Sequence, residues 1–228
     1  MISISNIYDK DILNKRCGSM KTHLLLPLLD YQRIYQVIYS VLRAAEVAKP
    51  HRACILFSIA GMLILRNHYR LPATISAGVM GIMVDENTSS VALSGRMGDR
   101  PESNREAFHF WVECEGWLID FMAPIMGVAL KEDGHALHVP RRMLQQPLAA
   151  QKTSVNELHG MGDFYLQCNS LLAGDLLDTQ SAGSIDLAKV CLTWFRRPPS
   201  RLEEMFLGST HAGPKKLVLR APSTEGVW

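Results

Sequence analysis

The sequence predicts an α+β fold with N-terminal helices packed on an antiparallel sheet. Three observations predict it. Residues 29–49 carry apolar side chains at three- and four-residue spacing. A second apolar run opens at Cys54 and continues through residue 65. Residues 108–122 read as a strand, a tight turn and a returning strand.

The elements follow in order. Residues 1–26 form a lead-in without a clear pattern. In residues 29–49 the helical stripe is Ile34, Val37, Ile38, Val41, Leu42 and Ala45, and Pro50 is expected to stop it. His51-Arg52-Ala53-Cys54 opens the second helix. Its interior is apolar nearly all round, which marks a central core helix. Leu71-Pro72 marks the exit, and residues 73–85 read as a strand with Ile75, Val79, Ile82 and Val84. A turn at Glu86-Asn87 allows a short return strand at 89–94. The polar stretch 98–106, with Pro101 and Asn104, reads as an exposed loop placed to act as a substrate-facing lid. Beyond Pro124 the pattern weakens. Residues 143–150 and 201–207 suggest short helices, 163–168 a strand, and 185–195 a helix or a strand. With no repeat, low-complexity tract or linker, residues 1–228 read as one domain.

Composition narrows the function. The chain is 47% hydrophobic and 20% charged, an ordinary globular balance. A net charge of +2 gives no electrostatic reason to expect nucleic acid or an anionic membrane as partner. The longest largely apolar run, residues 53–65, is shorter than the roughly 18 residues a membrane span needs. The N-terminus has neither the charge order nor the length of a secretory signal, so the expected location is the cytoplasm. The five cysteines, Cys17, Cys54, Cys114, Cys168 and Cys191, lack Cys-x-x-Cys pairs and zinc-ligand spacing. Neither a disulfide framework nor a cofactor is expected.

Three residues carry candidate chemistry. Cys54 lies in the first turn of the second helix, where unpaired N–H groups and the helix dipole favour a thiolate and can hold an oxyanion. In the hairpin, a two-residue turn at Glu115-Gly116 pairs Cys114 with Trp117, Val112 with Ile119 and Trp111 with Asp120. His109, Trp111, Leu118, Asp120 and Met122 then share one face. Phe110, Val112, Cys114, Trp117, Ile119 and Phe121 share the other, which is wholly apolar and should enter the core. Asp120 becomes the diagonal neighbour of His109, within reach of a hydrogen bond. A carboxylate amid Leu-Ile-Asp-Phe-Met is costly to bury without a partner, and His109 is the nearest candidate. Glu113, on the same face, reads as a strand-edge charge. The plainer readings are a cysteine filling space in an apolar helix and a solvated strand histidine.

The segment His-x-Trp-Val-Glu followed by Gly-Trp-x-x-Asp resembles the histidine–aspartate segment of the transglutaminase-like branch of papain-fold cysteine enzymes. The passage from Cys54 through Leu63-Ile64-Leu65-Arg66 to Leu71-Pro72-Ala73 and the following strand is similar to the segment after the nucleophile in that superfamily. It is also similar to the leader-peptide proteases that mature lasso peptides. The resemblance covers residues 30–124, leaving 125–228 as a C-terminal elaboration. It implies a papain-like (transglutaminase-core) fold, Cys54 as nucleophile, His109 as general base and acid, and Asp120 as the partner that orients the ring. The sequence departs from the family in the residues around the cysteine, and the candidate side chains for an oxyanion donor are Gln32, Gln36, Tyr39 and His51. The implied substrate is a peptide or a small amide or thioester. The competing readings are a non-catalytic binding module on the same fold and a metal site built from His109, Asp120 and either His51 or Cys54. The residues alone do not distinguish hydrolysis from transfer or set the oligomeric state.

Overall fold

The computed structural model describes residues 24–208 and 213–228. The first helical stripe forms α1 (Leu28–Ala44), which buries Tyr31, Ile34, Tyr35, Val37, Ile38, Val41 and Leu42. The helix ends before Pro50 because the chain turns left-handed at Glu46, with φ at 58°. The Val47 N–H then donates to the Leu42 carbonyl at 3.0 Å and the Glu46 N–H to Arg43 at 3.2 Å. This closure of the last turn satisfies carbonyls that a longer helix would have used. A 3₁₀ turn, Pro50–Arg52, leads into α2 (Cys54–Ile64). A π turn, Leu65–Tyr69, extends α2 and ends at left-handed Arg70.

Strand β1 (Thr74–Asp85) is followed by β2 (Ser90–Ser94), the short pair β3 (Arg96–Met97) and β4 (Pro101–Glu102), and the hairpin β5 (His109–Cys114) and β6 (Trp117–Asp120). A 3₁₀ turn, Ala123–Ile125, then leads into α3 (Met126–Glu132). The remaining elements are β7 (Arg142–Pro147), β8 (Phe164–Cys168), α4 (Ser170–Asp178), α5 (Ala182–Trp194), β9 (Phe206–Leu207), β10 (Lys215–Lys216) and β11 (Gly226–Val227). The fold is α+β. Its main sheet of seven strands is mixed and mostly antiparallel, with β11–β7 the parallel pair.

The register of β1 explains where the sheet opens. Gly78 pairs with both His109 and Cys168, and Met80 with both Ser94 and Leu166. A residue has one partner on each edge, so β5 and β2 lie end to end along one edge of β1 while β8 occupies the other. The chain leaves the sheet between Ser94 and His109, and that break is where the candidate site lies. Gly78 is required at the crossing, since a Cβ there would lie 2.0 Å from the Gln167 carbonyl oxygen.

Both sheet faces are covered, so the hairpin has no solvated face. The helices α1, α2 and α5 cover one side, with Phe57, Phe110, Val112, Ile119 and Phe121 in the core between. A second core gathers Met80, Ile82, Trp111, Leu118, Leu144 and Phe164. Glu113, expected to be a strand-edge charge, accepts a hydrogen bond from the Trp111 indole at 2.9 Å.

Several expectations beyond Pro124 are corrected. Residues 143–150 form β7 and a 3₁₀ turn, because the segment pairs with β6 from Trp117↔Pro147 to Asp120↔Leu144. Residues 201–207 hold no helix; they run extended into β9, which pairs with β10. The ambiguous stretch at 185–195 lies in the helix α5, and α3 and α4 were not expected from the residue pattern. The sheet is not completed within residues 30–124, since β7 and β8 pair directly with β6 and β1. Residues 1–23 of the lead-in lie outside the described residues. Among those described, no helix is long and apolar enough to cross a membrane.

Candidate active site

Cys54 is the first residue of α2, and no side chain caps the helix there. Its N–H therefore has no partner within the helix, and the dipole places partial positive charge beside the thiol. His109 is the first residue of β5 and Asp120 the last of β6. The hairpin folds in the expected register, with Val112↔Ile119, Glu113↔Leu118 and Cys114↔Trp117. Glu115 and Gly116 make the turn with φ of 49° and 77°, the two positive values a two-residue turn of this hand demands.

The three side chains meet. His109 Nε2 lies 3.0 Å from Asp120 Oδ2, with the two side chains 4% and 2% exposed. The Cys54 thiol lies beside the same ring, close enough to influence its charge, and lines the same cleft. Asp120 occupies Nε2, which leaves Nδ1 as the ring nitrogen free to exchange a proton with the thiol. Burial disfavours the charged ring, but the Asp120 carboxylate and the Cys54 sulfur outweigh it and push the His109 pKa up to about 10. The carboxylate is fixed in turn: its Oδ1 accepts the Met122 N–H at 2.8 Å. The Tyr31 hydroxyl donates to the Asp120 backbone carbonyl, tying α1 to the end of β6. Burial and the nearby carboxylate hold the Tyr31 phenol well above its ordinary pKa, so it remains a donor.

The triad lines a cleft of about 380 Å³. One side comes from the break in the β1 edge, Ser94 and Gly95 facing Glu106 to Phe108. The other comes from the 3₁₀ turn before Cys54 and from α3. Paired charges join these two elements: Lys49 lies 3.0 Å from Glu132, and Arg52 pairs with Asp133.

Of the four oxyanion candidates, only His51 reaches the cleft. Gln32 accepts from Thr224 and Gln36 donates to the Ala221 carbonyl, both away from the triad. Tyr39 lines a separate groove. His51 Nε2 lies 2.9 Å from Glu132 Oε2, close enough for a charge contact but outside hydrogen-bonding angles. The expected lid is also corrected. Residues 97–101 line a different groove, with Thr153 to Asn156, and only the end of the segment, from Glu106, reaches the triad. Among the described residues no group of three or more His, Cys, Asp or Glu is placed to hold a metal ion. Sequence reasoning missed Tyr31 and the α3 wall of the cleft. Tyr31 has no local signal, because its partner lies 89 positions along the chain.

The other described cysteines differ from Cys54 in surroundings. Burial raises the thiol pKa of Cys114 and Cys191, and Cys168 is exposed but also raised.

No curated protein matches the chain. A solved structure, the crystal structure of genomics APC5867, is similar over 92% of this chain and 100% of its own, at 32% identity and a TM-score of 0.77. The family model described as a protein of unknown function, DUF2026, matches residues 27–228, and the chain belongs to that family.

Proposed function

We propose that this chain is a cysteine-nucleophile acyl-transfer enzyme, a peptidase, amidase or acyl transferase, on a papain-like, transglutaminase-core arrangement. The observation that carries the reading is the buried His109–Asp120 hydrogen bond with the Cys54 thiol beside the ring in one cleft, assembled from a helix start and a hairpin. A cysteine, a histidine and a carboxylate in that order are the parts that nucleophilic thiol catalysis requires.

In this reading each group has a step. His109 Nδ1 takes the thiol proton, and the Cys54 sulfur attacks the substrate carbonyl carbon. The Cys54 N–H at the helix start stabilises the oxyanion. His109 returns the proton to the departing amine or thiol as its bond to carbon breaks, leaving a thioester on Cys54. Water or an amine then attacks that thioester, with His109 taking its proton, and the sulfur leaves. Asp120 holds the ring with Nδ1 free for the thiol and stabilises its charged form. The substrate class is a peptide or a small amide or thioester. The thiols of Cys54, Cys114, Cys168 and Cys191 are free, which fits the reducing cytoplasm.

Alkylation by iodoacetamide across pH, read by peptide mass spectrometry, tests the reading. Cys168 serves as an internal reference because it is exposed yet has a raised pKa. Cys54 should react at least tenfold faster than Cys168 at pH 7. Equal, slow labelling would leave the fold a non-catalytic binding module.

A further inference from the structure

We infer that the acyl group this enzyme accepts is uncharged and apolar, a straight aliphatic chain or a side chain of that character. The inference rests on the proposed acyl-enzyme chemistry. It concerns the wall of the cleft beyond the reacting atoms.

The first observation is α3. This helix has no buried residue, although Met126, Ala129 and Leu130 stand at three- and four-residue spacing along it. All three line the cleft that holds Cys54. Met126 and Leu130 pack partly against the second core. The apolar surface they keep open, with Ala129, faces space that an acyl group on the Cys54 sulfur would fill.

The second observation is the opposite wall. Met80, Ala92 and Met122 line the cleft and are buried, 1%, 7% and 8% exposed. Met80 and Ala92 belong to the second core, while Met122 and Cys54 belong to the core under the helices. The cleft is thus the seam between two apolar cores. Unbranched, polarisable Met side chains adapt to a flexible chain better than to a rigid, shaped group.

The third observation is charge. Apart from the triad, the ionisable residues on the cleft are His51, Arg52, Asp133 and Glu106. His51 lies 2.9 Å from Glu132, Arg52 is paired with Asp133, and Glu106 with Arg96 at 2.6 Å. No unpaired ion among them remains to receive a charged acyl group, and burying one against this wall would be unfavourable.

The test uses p-nitrophenyl esters of acetate, butanoate, hexanoate and octanoate with the full chain. In each case a Cys54 sulfur–carbonyl bond forms, the ester C–O bond breaks and nitrophenolate leaves. Release is read by absorbance and the thioester by intact mass, with Cys54→Ala as the blank. The expected result is a rise in kcat/KM of about fourfold per added methylene until the cleft is full. Met126→Glu, at a half-buried position on the rim of the second core, should lower the octanoate rate at least tenfold more than the acetate rate, with the thermal melt remaining cooperative. Cys54-dependent acylation with a flat or falling chain-length series overturns this inference and leaves the acyl-transfer reading standing. The absence of a Cys54 adduct with every ester overturns that reading, and this inference with it.

Discussion

Replacing Asp120 with Asn isolates the role of the carboxylate, because the change removes charge while keeping size. The outcome follows from the two oxygens. Asp120 Oδ1 accepts the Met122 N–H at 2.8 Å, and Oδ2 meets His109 Nε2 at 3.0 Å. An amide has one oxygen. The Met122 N–H claims it, so the NH₂ group turns to His109. It donates to Nε2 and forces the ring proton to Nδ1, the nitrogen that must accept from Cys54. The ring also loses the charge that offset its burial. A pKa of about 10, against an ordinary 6.5, corresponds to a factor of about 3,000 in proton affinity, or ~5 kcal/mol, to which Asp120 contributes together with the Cys54 sulfur. The folded-state pKa is raised, so this stabilisation is complete below about pH 6.5 and is lost as pH climbs through about 10. Urea unfolding at pH 6 and pH 10 should therefore show Asp120→Asn less stable than the parent by a few kcal/mol at pH 6, with the gap narrowing by pH 10. The kcat/KM on an activated ester should fall on the order of 10³–10⁴-fold, the scale known for the same swap in a serine-protease triad. A stability gap that stays constant across pH, or an unchanged alkylation rate at Cys54, would refute the argument.

Cys54→Ala should abolish turnover while shifting stability by no more than about 1 kcal/mol, whereas Asp120→Ala should lose activity and about 3 kcal/mol through the stranded ring and Met122 N–H; kinetics and thermal melts of the pair check this. Tyr31→Phe leaves the Asp120 carbonyl without its donor and should cost about 1–2 kcal/mol by urea unfolding, with a smaller fall in kcat than Asp120→Asn. Gly78→Ala places a Cβ 2.0 Å from the Gln167 carbonyl, so the β1–β8 crossing must shift, and a melting temperature within a degree of the parent would contradict the register described for β1.

The legible parts of the chain are those whose signal is local. The Glu115-Gly116 turn set the hairpin register because positive φ at two successive residues admits few geometries, and the register placed Asp120 beside His109. The contact with Cys54 spans 55 positions, and nothing in spacing encodes it. It was reached through chemistry and through a resemblance in the hairpin. The helix boundary after Ala44 was missed because Pro50 looked decisive, while the chain had already turned at Glu46 in a left-handed conformation that Glu does not advertise.

The C-terminal half was opaque for a reason visible in β7. A strand buried on both faces loses the alternation that identifies it. Met143 enters the core under the helices and Leu144 the second core, so successive residues are both apolar. Gln145 is then polar and 2% exposed. Its amide accepts the Leu26 N–H at 2.9 Å and donates to the Leu26 carbonyl at 3.2 Å, standing in for the strand edge that the N-terminal segment would otherwise need. The same two-sidedness shapes the cleft. A sheet covered on one face would leave His109 and Asp120 in water, where the carboxylate holds the ring weakly. The second core removes that water, and the price is an uncapped, apolar seam running up to the sulfur. Burial that strengthens the histidine–aspartate pair and the apolar lining of the cleft are therefore consequences of one arrangement: the second core, on which Met126 and Leu130 of α3 pack, covering the sheet face that α1, α2 and α5 leave bare.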